Sequence, residues 1–321
     1  ENYLYTFKCL KCGNIFVDNV HSRVPRCLSC NPVQKSTLEK EILDFISGLG
    51  LEVLSGDRKI ISPLELDIVI PEKMVAIEFN GLYWHSFQSG KDENYHLSKS
   101  ISAKENGYSL IHVFEDEWQN KKEIVKSIIK NRLGLFDKRI FARKCHIKEI
   151  DSDTAKSFFD KNHLQGNSTA SLNIGLFNDG DLVSCMSFSK PRYNKNYEWE
   201  IIRFSNRLNT LVVGGFSKLL KYFTKNYNGD IITYSDRRLF DGSVYRNNGF
   251  KELKPSKPNY YYFKGSSERM SRVKFQKHKL ENLLEDFDEN LTEKENMENN
   301  GFRWIYDCGN WVFELRRNNG L

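Results

Sequence analysis

The chain has 321 residues, 39% of them hydrophobic and 13% aromatic, enough for two or three domains that each bury a core. Lys and Arg (48) exceed Asp and Glu (42), and the net charge of +6 favours a polyanionic partner. No apolar run approaches bilayer-spanning length and no signal peptide is expected, so a membrane role is set aside. The odd count of seven cysteines, with CxxC spacing, points to a reducing cytosol and a metal site.

Cys9, Cys12, Cys27 and Cys30 form two CxxC knuckles fourteen residues apart. Each knuckle aims two thiolates at one tetrahedral ion, so residues 1–34 read as a zinc ribbon. Gly13 suits the tight turn after the first knuckle. So small a segment takes its folding energy from the metal. The four thiolates complete the coordination and leave His21 out. Lys8, Lys11, Arg23 and Arg26 decorate the ribbon, which reads either as a DNA contact or as a structural module.

Residues 36–48 read as a helix, capped by Ser36-Thr37, with Leu38, Ile42, Leu43, Phe45 and Ile46 on its apolar face. Glu39 in its first turn is either a capping-box residue or a carboxylate that reaches a metal centre. Two apolar runs follow, Leu66–Ile70 and Met74–Phe79, joined at Pro71-Glu72-Lys73 as paired strands. Asp67, Glu78 and Asn80 interrupt them with polar groups, and His85 follows Tyr83-Trp84. Two carboxylates on neighbouring strands can converge on one hard divalent cation such as magnesium, and a nearby imidazole can carry a proton.

Asp67 followed by Glu78-Phe79-Asn80-Gly81-Leu82-Tyr83-Trp84-His85 resembles the core of the very-short-patch-repair (Vsr) endonucleases, and more closely their EDxHD relatives among phage homing endonucleases. The resemblance covers residues 36–133. It implies a restriction-endonuclease-like mixed sheet and magnesium-dependent hydrolysis of DNA phosphodiesters. It places the metal-binding Asp at Asp67, the early helical Glu at Glu39 and the catalytic His at His85. The later acidic position of the family falls near His96, a departure from the pattern. Glu115-Asp116-Glu117-Trp118 resembles the end of the family's next core strand.

Within this region a helix is expected over residues 92–106, with His96 and Lys99 on one face. A third strand is expected over Tyr108–Phe114, with His112 as a core or sheet-face residue, and a closing helix over Trp118–Leu133. Residues 121–148 then carry ten Lys or Arg against Glu123 and Asp137. Lys138, Arg139, Arg143 and Lys144 concentrate in a connector that reads as a phosphate-contacting stripe.

A second pattern occupies residues 136–265: a helix over Asp153–Phe159, strands at Leu172–Phe177, Leu182–Phe188, Trp199–Phe204 and Ile231–Ser235, and a helix opened at Leu211 and running through Phe223. The order resembles the GNAT acetyltransferase fold. The resemblance places Val213-Gly214-Gly215-Phe216-Ser217-Lys218 where that fold wraps a cofactor pyrophosphate on a helix N-terminus, and Tyr245–Phe250 at its late Tyr-x-x-x-Gly-Phe element. The glycine pair is shorter than the usual acyl-CoA signature. A reshaped DNA-touching module using Arg192, Arg203, Arg237 and Arg238 is preferred to an active acyltransferase.

Residues 266–321 read as an extension. Basic and aromatic residues mix over 256–277, a solvated acidic helix or loop is expected over Leu280–Glu298, and strand-like alternation returns over Phe302–Leu315 around a turn at Tyr306–Asn310. The whole reads as an α/β multidomain protein of zinc ribbon, Vsr-like core (35–135) and α+β GNAT-like domain. The expected function is a homing-type, site-specific endonuclease acting on double-stranded DNA in a phage-infected or bacterial host cell, with structural zinc and catalytic magnesium. The alternatives are an acyl-CoA-dependent DNA-modifying transferase and a non-catalytic DNA-binding regulator.

Overall fold

The computed structural model describes residues 5–18, 25, 27, 30, 36–265 and 268–317. Expectations for His21, Arg23 and Arg26 fall outside these residues. The fold is α/β with mixed sheets, and the chain forms two compact units, residues 1–50 and 51–321.

In the first unit, β1 (Tyr5–Lys8) and β2 (Ile15–Asp18) pair antiparallel around the first cysteine knuckle. Gly13 has φ +74° there, a conformation that side chains with a Cβ adopt at a cost. Helix α1 (Thr37–Ser47) starts at Ser36, whose Oγ accepts from the Glu39 backbone N–H at 3.1 Å. Its Ile42 and Ile46 are fully buried.

The second unit begins with a four-stranded sheet: β3 (Leu54–Asp57), β4 (Leu66–Ile70), β5 (Val75–Asn80) and β6 (Ser109–Phe114), in that spatial order. A short 3₁₀ turn at Pro71–Lys73 joins β4 to β5, closed by Met74 at φ 51°. Helix α2 (Tyr95–Glu105) is the crossover that makes β5 and β6 parallel. Its buried face is His96, Lys99 and Ala103, so a polar stripe faces the protein interior. The single closing helix expected over Trp118–Leu133 is instead two, α3 (Glu115–Asn120) and α4 (Lys122–Arg132), broken at Lys121. The break lets α3 turn Asp116, Glu117 and Trp118 inward while α4 buries Ile124, Val125 and Ile129.

Next come β7 (Lys138–Phe141), β8 (His146–Glu149), α5 (Ser152–Asn162), β9 (Leu172–Asn178), β10 (Asp181–Ser189), β11 (Trp199–Asn206), β12 (Thr210–Val213), α6 (Gly215–Asn226), β13 (Ile231–Asp236), α7 (Ser243–Arg246) and β14 (Lys251–Leu253). The basic connector is therefore partly a strand: β7 pairs in parallel with β12. A seven-stranded sheet is ordered β14-β18-β13-β11-β10-β9-β8, where β18 (Asn310–Leu315) is the last strand of the chain. Its one parallel pair is β11–β13; the other neighbours are antiparallel. Helix α6 packs its apolar face on β9 and β10, and Phe223 stacks on Phe188 with ring centroids 3.7 Å apart.

The remaining elements are β15 (Tyr260–Phe263), β16 (Met270–Ser271), α8 (Lys277–Leu280), α9 (Glu293–Asn299) and β17 (Arg303–Tyr306). β15 lies between β16 and β17 in a three-stranded sheet. The acidic stretch is not a free solvated segment. Leu280 and Met297 are fully buried with Tyr262, Phe275, Trp304 and Tyr306; Glu293 accepts from the Tyr260 and Tyr262 hydroxyls at 3.0 Å, and the other carboxylates of the stretch are exposed. Asp307–Gly309 carries the chain from one sheet to another, so β17 and β18 do not form a hairpin. Among the described residues no helix is long and apolar enough to cross a membrane.

Candidate active site

The cysteine quartet assembles within the first unit. Cys9 Sγ lies 3.6 Å from Cys30 Sγ, and Cys12 Sγ 3.7 Å from Cys27 Sγ. All four sulfurs lie within 4.8 Å of one another. A tetrahedral zinc ion with Zn–S bonds of about 2.3 Å separates its sulfurs by about 3.8 Å, so the donor set and spacing fit zinc. The backbone N–H groups of Cys12 and Lys11 hold the Cys9 thiol down, at about 6, and that thiolate is ready for a cation. The Cys12 side chain, burial and Cys9 push Cys30 up to about 12. Like-charge crowding of this kind is what a bound dication relieves.

In the second unit, the register of β4 on β5 pairs Ile68 with Ile77, next to Asp67 and Glu78, whose carboxyls interact electrostatically. Asp67 Oδ2 accepts the Phe79 backbone N–H at 2.8 Å, which fixes the side chain across the strand pair. Glu78 is 2% exposed, and its Oε2 is buried without a hydrogen-bond partner. Lys99 reaches from α2 and donates to Glu78 Oε1. Burial and the Asp67 charge raise the Glu78 carboxyl to about 8 against the opposing pull of Lys99. Lys99 also titrates above its usual range, because Glu78 and Asp67 outweigh its burial. Lys99 is thus attracted to both carboxylates. A bare buried carboxylate oxygen beside a second carboxylate fits a hard divalent cation. Three or more His, Cys, Asp or Glu ligand atoms come together only at the cysteines among the described residues, so the strands supply two carboxylates.

Three histidines lie beyond Lys99. His96 Nε2 is 3.4 Å from His85 Nδ1, and the two rings stack at 5.5 Å. Burial, then Lys99 and Lys91, lower His85 to about 3, so the imidazole is neutral at physiological pH. His96 is fully buried and also held neutral by burial, His85 and Lys99, with the Tyr306 backbone against it. His112 lies on β6 with no exposed surface. Its Nδ1 is 3.2 Å from Asn80 Nδ2, and its Nε2 is 2.8 Å from Ser100 Oγ. Asn80 is fully buried, and its Oδ1 has no hydrogen-bond partner. Glu39 belongs to the first unit, in the first turn of α1.

Lys99 was noted in the sequence only as sharing a helix face with His96. The structure makes it the link between carboxylates and histidines. The available signal was the i, i+3 spacing of His96 and Lys99 in a helix with no apolar stripe.

The basic residues divide. Lys138, Arg139, Arg143 and Lys144 are exposed. Arg192 is exposed and its guanidinium bonds the Ser168 hydroxyl. Arg203 donates to the Gly166 carbonyl at 3.1 Å. Arg237 is half-buried over the Trp311 ring at 4.5 Å. Arg238 is 4% exposed and buried in ion pairs with Glu117 (2.6 Å) and Asp236 (2.8 Å); it offers no surface to a polyanion. Arg269 joins the same cluster through Asp116 and Glu117.

At the start of α6, Gly214 is exposed and Gly215 is buried, where an added Cβ would meet Val212 at 3.0 Å. Lys218 Nζ donates to the Ala142 carbonyl at 2.9 Å and the Cys145 carbonyl at 2.5 Å. A Cβ at Gly214 would meet the Ala142 methyl at 3.9 Å.

No protein-family model matches this chain, and no curated protein matches it either.

Proposed function

We propose that the protein is a divalent-metal-dependent DNA endonuclease whose centre is Asp67, Glu78 and Lys99, flanked by His85. The observation that carries this reading is Asp67 fixed to β5 by the Phe79 N–H and acting electrostatically on Glu78, which is raised to about 8 and bonded by Lys99. A buried acid in this condition is costly to keep for stability alone, and such perturbed groups cluster where chemistry occurs.

Asp67 and Glu78 would hold magnesium. Bound there, the ion supplies Lewis-acid polarisation of the phosphate and acidifies its water. Lys99, bonded to Glu78, places a positive charge beside the two carboxylates. His85, neutral and stacked on His96, offers a nitrogen to take up a proton. An arriving phosphate offsets the Lys99 and Lys91 charges, which raises the basicity of that nitrogen. The exposed basic residues over 138–144 bind the DNA backbone without selecting its sequence.

The test is a supercoiled-plasmid nicking assay in magnesium, with Asp67→Ala and Lys99→Met as variants. Asp67→Ala is expected to lose cleavage by at least a hundredfold while DNA affinity and thiol-bound metal stay within twofold. Nicking by Asp67→Ala at the parental rate would sink the scheme. Tight DNA binding by the parent with no cleavage in magnesium or manganese would point to a non-catalytic regulator instead.

A further inference from the structure

Residues 138–144 carry a feature that phosphate contact alone leaves unexplained. Along β7 and the turn after it, side chains alternate between two environments. Ile140, Ala142 and Cys145 are buried in the core of the seven-stranded sheet. Arg139, Phe141 and Arg143 face outward. Phe141 is 37% exposed, and its ring carries the Arg139 guanidinium at 5.4 Å and the Arg143 guanidinium at 5.2 Å. Lys138 and Lys144 stand exposed at the two ends. Among the described residues none of these four cations is in an ion pair; the nearby Asp137 is taken by Lys130 at 2.6 Å and Asp181 by Arg207 at 2.8 Å.

The platform is rigid. β12 pairs with β7 residue by residue, from Thr210–Lys138 to Val213–Phe141. Lys218 ties the Ala142 and Cys145 carbonyls from below. Arg143 and Lys144 lie between these two tied carbonyls and are exposed.

Four uncompensated cations around one exposed aromatic ring match a polyanion that also has flat faces to stack. Duplex DNA supplies the phosphates but hides its base faces. A single strand supplies both, and an aromatic ring among cations is the usual way to hold one. We propose that the Arg139–Phe141–Arg143 face binds single-stranded DNA, with Phe141 stacked on a base and the two arginines on flanking phosphates. This rests on the reading of DNA as the substrate. It adds that the protein grips a strand freed from pairing, as at an opened or cut site.

The experiment measures binding without chemistry. Fluorescence anisotropy follows a labelled 20-nucleotide oligothymidine and a blunt 20-base-pair duplex, using the full chain carrying Asp67→Ala. Phe141→Ala is expected to weaken oligothymidine binding about tenfold and duplex binding less than twofold. Phe141→Trp restores single-strand affinity. The pair Arg139→Ala/Arg143→Ala weakens both ligands and lowers the single-strand salt slope by about 1.4. Lys251→Ala, exposed on β14, serves as the surface control and changes neither. Equal losses on both ligands, or none on oligothymidine, for Phe141→Ala would overturn the proposal. If the parent binds oligothymidine with this pattern yet cuts no DNA, the endonuclease reading fails and this one stands. If it nicks plasmid while Phe141→Ala binds as before, only this one falls.

Discussion

Lys99 shows how one side chain can carry both stability and chemistry. Its ammonium is 4% exposed and the Glu78 carboxylate 3%, so neither group has water to fall back on. Removing one member of such a pair leaves the other buried and uncompensated, typically at a cost of about 3–5 kcal/mol. Lys99→Met is expected to lower unfolding free energy by roughly that amount in urea titration. The double variant Lys99→Met/Glu78→Gln should recover most of it, since a neutral amide needs no counter-charge. A double variant no more stable than the single would mean that packing, and not the pair, accounts for the loss. Asp67 and Glu78 were legible because carboxylates interrupt runs of apolar β-formers. Lys99 was less so, because a lysine in a polar helix reads as solvated until the sheet beneath is known. Arg238 misled for the same reason in reverse: its partner Glu117 is 121 residues away, so a basic doublet looked like surface.

The metal ribbon and the acidic stretch mark the two ends of what elements reveal by pattern. CxxC spacing carries its own geometry, and the four sulfurs assemble as that spacing predicts. The described strands of this segment are short, so an ion held by the four sulfurs would supply much of its folding energy. Treatment with a zinc chelator under native conditions should therefore make four thiols reactive toward a disulfide reagent. Cys145, Cys185 and Cys308 are buried and should stay protected until denaturant is added. Seven reactive thiols before denaturation would show that the rest of the fold also depends on the metal. Residues 280–298 read as solvated because their apolar side chains are sparse in sequence, yet Leu280 and Met297 are fully buried. Thr292 Oγ1 caps α9 by accepting from the Glu295 N–H at 3.3 Å, and the Glu295 carboxylate accepts from the Thr292 N–H at 2.7 Å. That capping box aims Met297 at the aromatic core. Thr292→Ala should cost about 1 kcal/mol, read as a shift in urea midpoint.

The long-range order of the second unit is what sequence conceals most. β18 enters between β13 and β14, so the last strand of the chain lies inside the largest sheet, and no local pattern announces that insertion. The ion cluster of Asp116, Glu117, Asp236, Arg238 and Arg269 draws on α3, the end of β13 and the segment before β16, thereby joining three parts of the unit. Burial pushes Glu117 up, but Arg238 and Arg269 overcome it and hold the carboxyl at about 2, below its ordinary 4.5. A depressed folded-state value means that the stabilisation is complete above pH 4.5 and is lost as pH falls toward 2, roughly 3 kcal/mol in all. Asp307 acts oppositely: burial and Asp236 raise it to about 6, so its contribution fades as pH rises through that value. Absolute stability therefore mixes both slopes, and the difference between parent and Glu117→Gln isolates one. That difference should be largest near pH 5–7, where the variant leaves two buried guanidiniums underpaired, and should shrink steadily between pH 4.5 and 2. Urea titrations of both proteins across this range measure it directly. A gap independent of pH would mean that Glu117 contributes through packing and hydrogen bonds, with its charge playing no part in holding the three segments together.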